Sequence, residues 1–191
     1  MKKFTSILMV LLAIAGICAS SACSNKKNNM STEDNKMIVC YFSATGTTAT
    51  QAKRIADIIG AGLYEIVPET AYTAADLDWT DSLSRSSVEM YNRAFRPALK
   101  DSVVNLADYD VVFIGYPNWW NTCPTIINTF IESAHLDGKT VVPFMTSGGS
   151  NITNSEKELA ESYPGIKWAK GLLMNGVSDD QIKDWISNIN E

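Results

Sequence analysis

One stretch decides the fold: Val39-Cys40-Tyr41-Phe42-Ser43-Ala44-Thr45-Gly46-Thr47-Thr48. An apolar run, typical of a buried strand, gives way to hydroxyl side chains around one glycine. The next apolar side chains recur at the 3.6-residue spacing of a helix packed on a sheet: Ala49, Ala52, Ile55, Ala56 and Ile59. The free N–H groups and the positive dipole end of that helix would point back at the loop, so the stretch predicts a strand that ends on an anion site.

The loop at residues 43–48 differs from two familiar phosphate loops. A nucleotide-hydrolase loop of the form G-x-x-x-x-G-K-[ST] requires a lysine beside the terminal phosphates, and this loop contains neither lysine nor arginine. A thiol phosphatase built on Cys40 would require an arginine where Gly46 stands. Two interpretations remain: a neutral loop that retains the single phosphate of a cofactor, or an ordinary strand-to-helix turn rich in serine and threonine.

The same residues resemble the FMN-phosphate signature of the flavodoxin family, in which an apolar strand ends on an aromatic residue and then on Ser/Thr-x-x-Gly-x-Thr before a helix. Tyr41, Ser43, Gly46 and Thr48 fall in register with that signature, while Cys40 departs from it by replacing an apolar or aromatic residue. The resemblance implies FMN as the cofactor. It places the phosphate on six loop residues: Ser43, Ala44, Thr45, Gly46, Thr47 and Thr48.

The first 22 residues have the pattern of a signal peptide, with Lys2-Lys3, a short apolar run and small residues before Cys23. The apolar run is shorter than the roughly 20 residues of a membrane-spanning helix. Cys23 resembles the lipid-acceptor cysteine of a bacterial lipoprotein, although Ser20 stands where that motif usually has leucine; plain cleavage before Cys23 is the alternative. Residues 23–36 contain almost no apolar side chain, which predicts a flexible tether.

Residues 37–191 are long enough for one domain, and the 46% hydrophobic content of the 191-residue chain is ordinary for a globular protein. The formal net charge is −5, and removal of Lys2 and Lys3, the only charges in the first 22 residues, takes it to −7. This negative net charge disfavours binding to nucleic acid and favours binding to a basic protein partner. Only Cys40 and Cys123 remain in the domain, so neither a disulfide scaffold nor a metal site is predicted.

Further apolar runs predict a doubly wound α/β fold. Besides the first strand, four strand candidates alternate with helix patterns: residues 63–67, 111–114, 141–145 and a segment near 168–174. The second and third of these are apolar throughout, as in parallel strands buried on both faces. A helix after the fourth strand is predicted to be capped by Ser155 and Glu158. We therefore expect a five-stranded parallel sheet with helices on both faces. The resemblance implies that this sheet forms a single flavodoxin-like domain.

The forty residues after Pro68 are the least regular part of the chain. They contain Asp76-Leu77-Asp78-Trp79, a helix pattern at residues 84–95, and Arg96-Pro97. The segment is long for a single crossover, so one interpretation is a lid over the site and the other is a crossover decorated with surface helices. Its arginines could reach an anionic substrate, but solvated helix positions are the simpler interpretation.

Three unusual loops follow the first, third and fourth strands. In a doubly wound sheet, ligands bind outside the carboxyl ends of the strands where the order reverses, and flavodoxin, with FMN between its first and third strands, is a familiar instance. The second and third loops also resemble those of exported and cytoplasmic flavodoxin-like proteins, with Gly-Tyr-Pro-x-Trp-Trp and Pro-Phe-x-Thr-Ser-Gly-Gly-Ser. The resemblance implies that these loops hold the flavin ring through eight residues: Pro117, Asn118, Trp119, Trp120, Thr146, Ser147, Gly148 and Gly149.

The resemblance implies an FMN-binding electron-transfer protein that exchanges electrons with a redox partner protein or a small acceptor. No dinucleotide fingerprint or second domain for NAD(P)H is found, and no catalytic residue is predicted. One alternative is an FMN-dependent NAD(P)H:quinone or other small-acceptor reductase with residues 68–97 as its lid; the other is a flavin-free exported binding module. The leader predicts a bacterial periplasmic or cell-envelope protein, anchored at a membrane if Cys23 is lipidated.

Overall fold

Strands and helices alternate along residues 36–189, the part of the chain that the computed structural model describes. The predicted signal peptide, Cys23 and nearly all of the predicted tether lie outside this range. The elements follow in this order: β1 (Met37–Tyr41), α1 (Thr47–Ile59), β2 (Gly62–Glu65), α2 (Arg85–Tyr91), β3 (Val111–Pro117), α3 (Thr125–Ala134), β4 (Thr140–Thr146), α4 (Thr153–Ser162), β5 (Lys167–Trp168), β6 (Leu172–Leu173) and α5 (Asp179–Ser187).

The strands form one parallel sheet in the order β2-β1-β3-β4-β5, and β6 also pairs with β4. Because β5 and β6 share the same edge of β4, the sheet has five strand positions, as the apolar runs predict. The chain moves outward from β1 to β2 and then returns to the other side of β1 as β3. The order therefore reverses between β1 and β3, and their carboxyl ends flank the crevice where ligands bind in such folds.

The sheet is covered on both faces because alternate residues of each strand point to opposite sides. On one face, Val39 and Phe113 pack in a buried cluster with side chains of α1 and α5, among them Ala52, Ile55 and Ile182. On the other face, Cys40 and Ile114 pack with side chains of α3 and α4, among them Ile126, Phe130 and Leu159. Cys40 and Cys123 are both buried free thiols, and burial raises the pKa of each.

The prediction of one strand at residues 168–174 is only partly right, because two short strands occupy that edge. The paired residues of β4 advance from Val141 to Phe144 while those opposite advance from Trp168 to Leu172, which is one residue more. Pro143 lies within this interval, and a proline has no N–H to donate to a neighbouring strand. The lost donor interrupts the ladder and divides the edge into β5 and β6.

The predicted cap of α4 is wrong. The helix begins at Thr153, two residues earlier than Ser155, and Asn151 accepts a hydrogen bond from the Thr153 N–H at 3.0 Å. Ser155 is fully buried inside the helix, where its hydroxyl donates to the Tyr116 hydroxyl of β3 at 2.8 Å. A tertiary contact therefore uses the side chain that the local pattern assigns to the cap. In α5, by contrast, Ser178 does cap the helix, together with Gln181.

Residues 69–98, which we call the lobe, leave the sheet after β2 and return before β3. The lobe is closed at its neck by a bridge between Pro68 and Leu99, flanked by two backbone hydrogen bonds of 2.8 and 2.9 Å. Its helix α2 is shorter than the predicted 84–95 and is capped by Ser84. Inside the lobe, Glu89 is only 2% exposed and accepts hydrogen bonds from Arg85 Nε at 2.7 Å and from the Tyr72 hydroxyl.

Candidate functional site

A cavity of about 650 Å³ opens at the carboxyl ends of β1, β3 and β4. Its volume falls within the range of small-molecule and cofactor sites. The loops after these three strands and the lobe all contribute to its lining: Ala44, Thr45, Thr48, Leu77, Trp79, Ser86, Pro117, Asn118, Trp119, Trp120, Asn121, Gly148, Gly149 and Ser150. None of these lining residues carries a charge.

The first loop presents the amino end of α1 to the cavity. Gly46, the residue before the helix, has φ +87°, a left-handed conformation that glycine adopts without strain. Its N–H donates to Ser43 Oγ at 3.1 Å, which shapes the turn. The N–H groups of the first helical turn lack intrahelical acceptors, and that turn contains no acidic side chain. An anion at this position would meet free donors and the positive end of the helix dipole.

The second loop turns tightly at the two residues that follow Trp119. Trp119 and Thr122 exchange two backbone hydrogen bonds of 3.0 Å, and between them Trp120 and Asn121 have φ +48° and +65°. Two successive left-handed residues are typical of a type I′ turn, which favours asparagine and glycine rather than tryptophan. A non-glycine residue in this region costs on the order of 1–3 kcal/mol, and such strain is commonly found at ligand sites.

The two tryptophans have different surroundings. The Trp119 ring lies edge-on to Phe42 and Tyr72, with centroids 5.7 and 5.3 Å away, and is partly buried against the core. Trp120 is 36% exposed, and its nearest aromatic neighbour is Tyr91 at 6.1 Å. Both rings line the cavity. Trp119 also packs against the hydrophobic core, whereas Trp120 does not.

Asn118 contributes a polar side-chain atom that has no hydrogen-bond partner among residues 36–189. Its backbone N–H donates to the Thr146 carbonyl at 2.7 Å, which joins the second loop to β4. Its side-chain Oδ1 is buried and accepts no hydrogen bond from the described residues. A buried unsatisfied acceptor costs roughly 1–3 kcal/mol, so a ligand N–H or O–H in the cavity would relieve this cost.

The third loop is shaped by Ser147 and Asn175. Ser147 Oγ accepts hydrogen bonds from the N–H groups of Gly149 and Ser150 at 3.1 and 2.9 Å. The Asn175 side chain accepts from the Ser147 N–H and donates to the Ser147 carbonyl. Gly148 and Gly149 remain exposed, so their backbone is accessible to a flat ligand. The sequence offers no motif that would have singled out Asn175.

Nine of the predicted site residues line the cavity: Ala44, Thr45, Thr48, Pro117, Asn118, Trp119, Trp120, Gly148 and Gly149. The other five lie in the same loops, where hydrogen bonds or backbone geometry shape the turns: Ser43, Gly46, Thr47, Thr146 and Ser147. Sequence reasoning did not assign the lobe residues Leu77, Trp79 and Ser86 to the site, because their approach depends on how the lobe folds back. The lobe arginines do not line the cavity; each pairs with a glutamate.

Residues 36–189 contain neither a candidate metal site nor a candidate membrane-spanning helix. Within that range, no three or more His, Cys, Asp or Glu side chains are grouped so that they could hold a metal ion. Likewise, none of the helices described there is both long enough and apolar enough to span a membrane.

The fold and the site define a class of protein: a doubly wound α/β domain whose cavity lies at the switch between β1 and β3. An uncharged loop rich in hydroxyl groups and a loop with two tryptophans line this cavity. The chain belongs to the flavodoxin family, because the family model described as Flavodoxin matches residues 36–189. No curated protein matches the sequence.

Solved structures resemble the chain over most of its length. A protein from Bacteroides uniformis, provisionally named a flavoprotein, is 56% identical, with a TM-score of 0.78 over 81% of this chain and 99% of that one. Another from Bacteroides eggerthii, with the same provisional name, is 51% identical, with a TM-score of 0.80 over 83% and 99%. A flavoprotein from Lactobacillus acidophilus, solved in complex with FMN, shares the fold at 21% identity, with a TM-score of 0.63 over 80% and 99%.

Proposed function

We propose that the cavity binds FMN and that the protein is an electron-transfer flavoprotein. The observation that carries this proposal is the convergence of three loops, with complementary chemistry, on one uncharged cavity at the switch between β1 and β3. When bound, FMN supplies the electron-transfer chemistry, and the protein contributes binding, orientation and access.

The residues present fit the phosphate and the ring of FMN. The first turn of α1 and the exposed hydroxyls of Thr45 and Thr47 would hold the phosphate without a cation. Trp119 and Trp120 offer aromatic surface for the ring, and the unpartnered Asn118 Oδ1 would accept a hydrogen bond from a ring N–H. These assignments place the phosphate on the first loop and the ring on the second loop.

The decisive experiment is a comparison of FMN with riboflavin by fluorescence titration of the full chain. Hydrogen bonds to a charged group are worth roughly 1.5–3 kcal/mol each, so loss of the phosphate should weaken binding at least about 100-fold. Thr45→Val should weaken FMN but not riboflavin, while Thr129→Val on α3 serves as the control. Equal affinities for FMN and riboflavin would refute the phosphate assignment, and no binding of either would favour the flavin-free module.

Electron exchange with a protein partner is supported by the surface of the lobe. Among residues 36–189, six of the seven exposed large apolar side chains belong to the lobe or to the second loop: Trp79, Leu83, Val88, Tyr91, Phe95 and Trp120. Hydrogen bonds from Thr73 and Thr80 hold the pKa of Asp76 and Asp78 below the usual range, so negative charge accompanies this surface. The combination suits a basic redox protein, and electron transfer to such a partner should slow as salt increases.

A second candidate is an FMN-dependent reductase of a small acceptor. The lobe favours it, because Leu77, Trp79 and Ser86 line the same cavity as the flavin loops. Stopped-flow reduction of the FMN-loaded protein by NADH or NADPH distinguishes the two functions. Rapid, saturable reduction would favour the reductase, whereas slow reduction that is linear in nucleotide concentration would favour the electron carrier.

We also propose export and anchoring through Cys23, which lies outside the described residues. The signal-peptide pattern of the first 22 residues supports export. Met37 begins β1 at the amino end of the strand, whereas the cavity lies at the carboxyl end. An anchor before this point would be attached on the side away from the cavity. The test is fractionation of cells that express Cys23→Ser: the variant should leave the membrane fraction, and a wild-type protein that is wholly soluble would contradict anchoring.

A further inference from the structure

The strained turn at Trp120 and Asn121 is held by contacts from outside the second loop. Both residues have positive φ, a conformation that residues other than glycine keep only where the surrounding structure holds them in it. The two backbone hydrogen bonds between Trp119 and Thr122 close the turn, but both partners belong to the loop itself. Contacts with other elements are therefore needed to fix the turn relative to the cavity.

Helix α4 supplies two of these contacts, through side chains four residues apart on one face. The Asn154 side-chain amide donates to the Asn121 carbonyl at 3.1 Å, and Glu158 accepts a hydrogen bond from the Thr122 hydroxyl at 2.7 Å. The same Asn154 nitrogen also donates to Glu158 at 2.9 Å. Because both partners of this nitrogen are oxygen acceptors, the orientation of the amide is fixed. The two residues that follow Trp120 are therefore both bonded to α4.

The lobe supplies the third contact. Arg93 Nη1 donates to the Cys123 carbonyl at 3.1 Å, and Arg93 Nη2 lies 3.6 Å from a carboxylate oxygen of Glu158. We call Arg93, Asn154 and Glu158 the clamp. Each of the three successive loop residues at positions 121–123 is bonded to one clamp side chain, so the lobe and α4 together hold the segment that follows Trp120.

The clamp acts through the loop and not on a ligand. None of its three side chains lines the cavity that we assign to FMN, whereas Trp120, directly before the clamped segment, does line it. The left-handed φ values at Trp120 and Asn121 set the direction of the chain through the turn. If the clamped segment moves, the Trp120 indole must therefore move with it.

We propose that Arg93, Asn154 and Glu158 are positioning residues that hold the Trp120 indole against the flavin ring. This inference rests on the proposed FMN site. The bonds of the clamp go to the second loop, whereas the phosphate would bind at the first loop. Loss of a clamp side chain should therefore weaken the contact with the ring and leave the contact with the phosphate unchanged. FMN and riboflavin should lose affinity by the same factor.

The test is fluorescence titration of the full chain with FMN and with riboflavin, in a double-mutant cycle. Asn154→Ala and Glu158→Ala should each raise both dissociation constants about threefold or more. In a Trp120→Ala background, the same substitutions should change either constant less than about twofold, because the ring that the clamp positions is absent. Glu161→Ala is the matched control, since this glutamate is exposed on the same helix, and it should change neither constant.

A conservative variant separates the hydrogen bonds from a general effect on folding. Glu158→Gln should bind both flavins nearly as well as the wild type, because its amide can accept from Asn154 and donate to the Thr122 hydroxyl. Urea unfolding of each variant checks that it is folded at the temperature of the titration.

The outcomes separate this inference from the proposed function. If the wild type binds no flavin, the proposed function fails and the inference fails with it. If the wild type binds FMN but the clamp variants bind it as well as Glu161→Ala does, positioning is overturned and the FMN site stands. The same holds if the clamp variants lose the same factor with and without Trp120, or if they lose affinity for FMN alone. A Glu158→Gln variant as weak as Glu158→Ala would overturn the role of the hydrogen bonds.

Discussion

Thr48 Oγ1 and Thr146 Oγ1 lie 2.8 Å apart and form a buried hydrogen bond between residues that are 98 positions apart in the chain. Thr48 belongs to the first turn of α1, and Thr146 is the last residue of β4. Their side chains are 1% and 7% exposed, so water cannot readily replace either partner. The bond joins the start of α1, next to the first loop, to the end of β4, from which the third loop continues. It therefore fixes the distance between the first and third loops.

Replacement of Thr48 by valine should lower both stability and flavin affinity. Valine preserves the side-chain shape but leaves the Thr146 hydroxyl buried without its partner, which costs about 1–3 kcal/mol in the free energy of unfolding. FMN binding should weaken about threefold or more, since the two loops lose their connection. Urea unfolding and flavin titration measure the two effects. Thr50→Val, at an exposed position of the same helix, should change stability by less than about 0.5 kcal/mol; an equal loss in both variants would contradict this role.

The two tryptophans should separate stability from binding. Trp119→Ala removes the contacts with Phe42 and Tyr72, so it should lower the free energy of unfolding by about 2 kcal/mol or more as well as weaken FMN. Trp120→Ala should raise the FMN dissociation constant about tenfold with a much smaller loss of stability, because this ring is exposed. FMN affinity unchanged in both variants would show that neither ring contacts the flavin.

The left-handed backbone at Trp120 allows a sharper control. Trp120→Gly should be more stable than Trp120→Ala by about 1 kcal/mol, because glycine adopts φ +48° without the steric cost that alanine meets. The two variants should bind FMN equally, since both lack the ring. A glycine variant less stable than the alanine variant would mean that the turn is not strained at this residue.

Glu89 should support the lobe. It is buried and paired with Arg85, so Glu89→Ala leaves a half-buried guanidinium without its partner and should cost about 3 kcal/mol or more. Proteolysis within residues 69–98 should increase at the same time. Glu161→Ala is the matched control, because its pairing with Lys157 is also four residues apart but exposed, and such pairs contribute less than about 1 kcal/mol. Similar losses in both variants would exclude a special role for Glu89.

Stability in acid should depend on Glu132. Hydrogen bonds from Arg96 and Tyr163 hold the pKa of this carboxyl below its ordinary value of 4.5 in the folded protein. A lowered pKa gives stability that is present above pH 4.5 and is lost as the pH falls through the folded-state pKa. Glu132→Gln should therefore flatten the decline in stability below pH 4.5, measured by urea unfolding at a series of pH values. Tyr163→Phe, which keeps Arg96, should flatten it less, and an unchanged slope in Glu132→Gln would contradict the assignment.

The apolar runs predicted the central strands well because a strand buried on both faces must be apolar along its own length. The predicted run at residues 141–145 lies within β4, and that at 111–114 lies within β3. The same local reasoning was only partly right at residues 168–174, since the break between β5 and β6 depends on Pro143 in the neighbouring strand. It was wrong at Ser155, where a hydrogen bond to Tyr116 outweighs the local capping pattern.

By itself, the sequence determined the order of strands and helices and the three loops that follow the first, third and fourth strands, because hydrophobic periodicity and turn residues act over a few neighbouring positions. Only the tertiary structure decided that Thr48 meets Thr146, that Trp119 packs on the core while Trp120 stays exposed, and that the lobe brings Leu77, Trp79 and Ser86 to the cavity. These contacts join residues far apart in the chain, so they depend on strand order and packing, which no local pattern encodes.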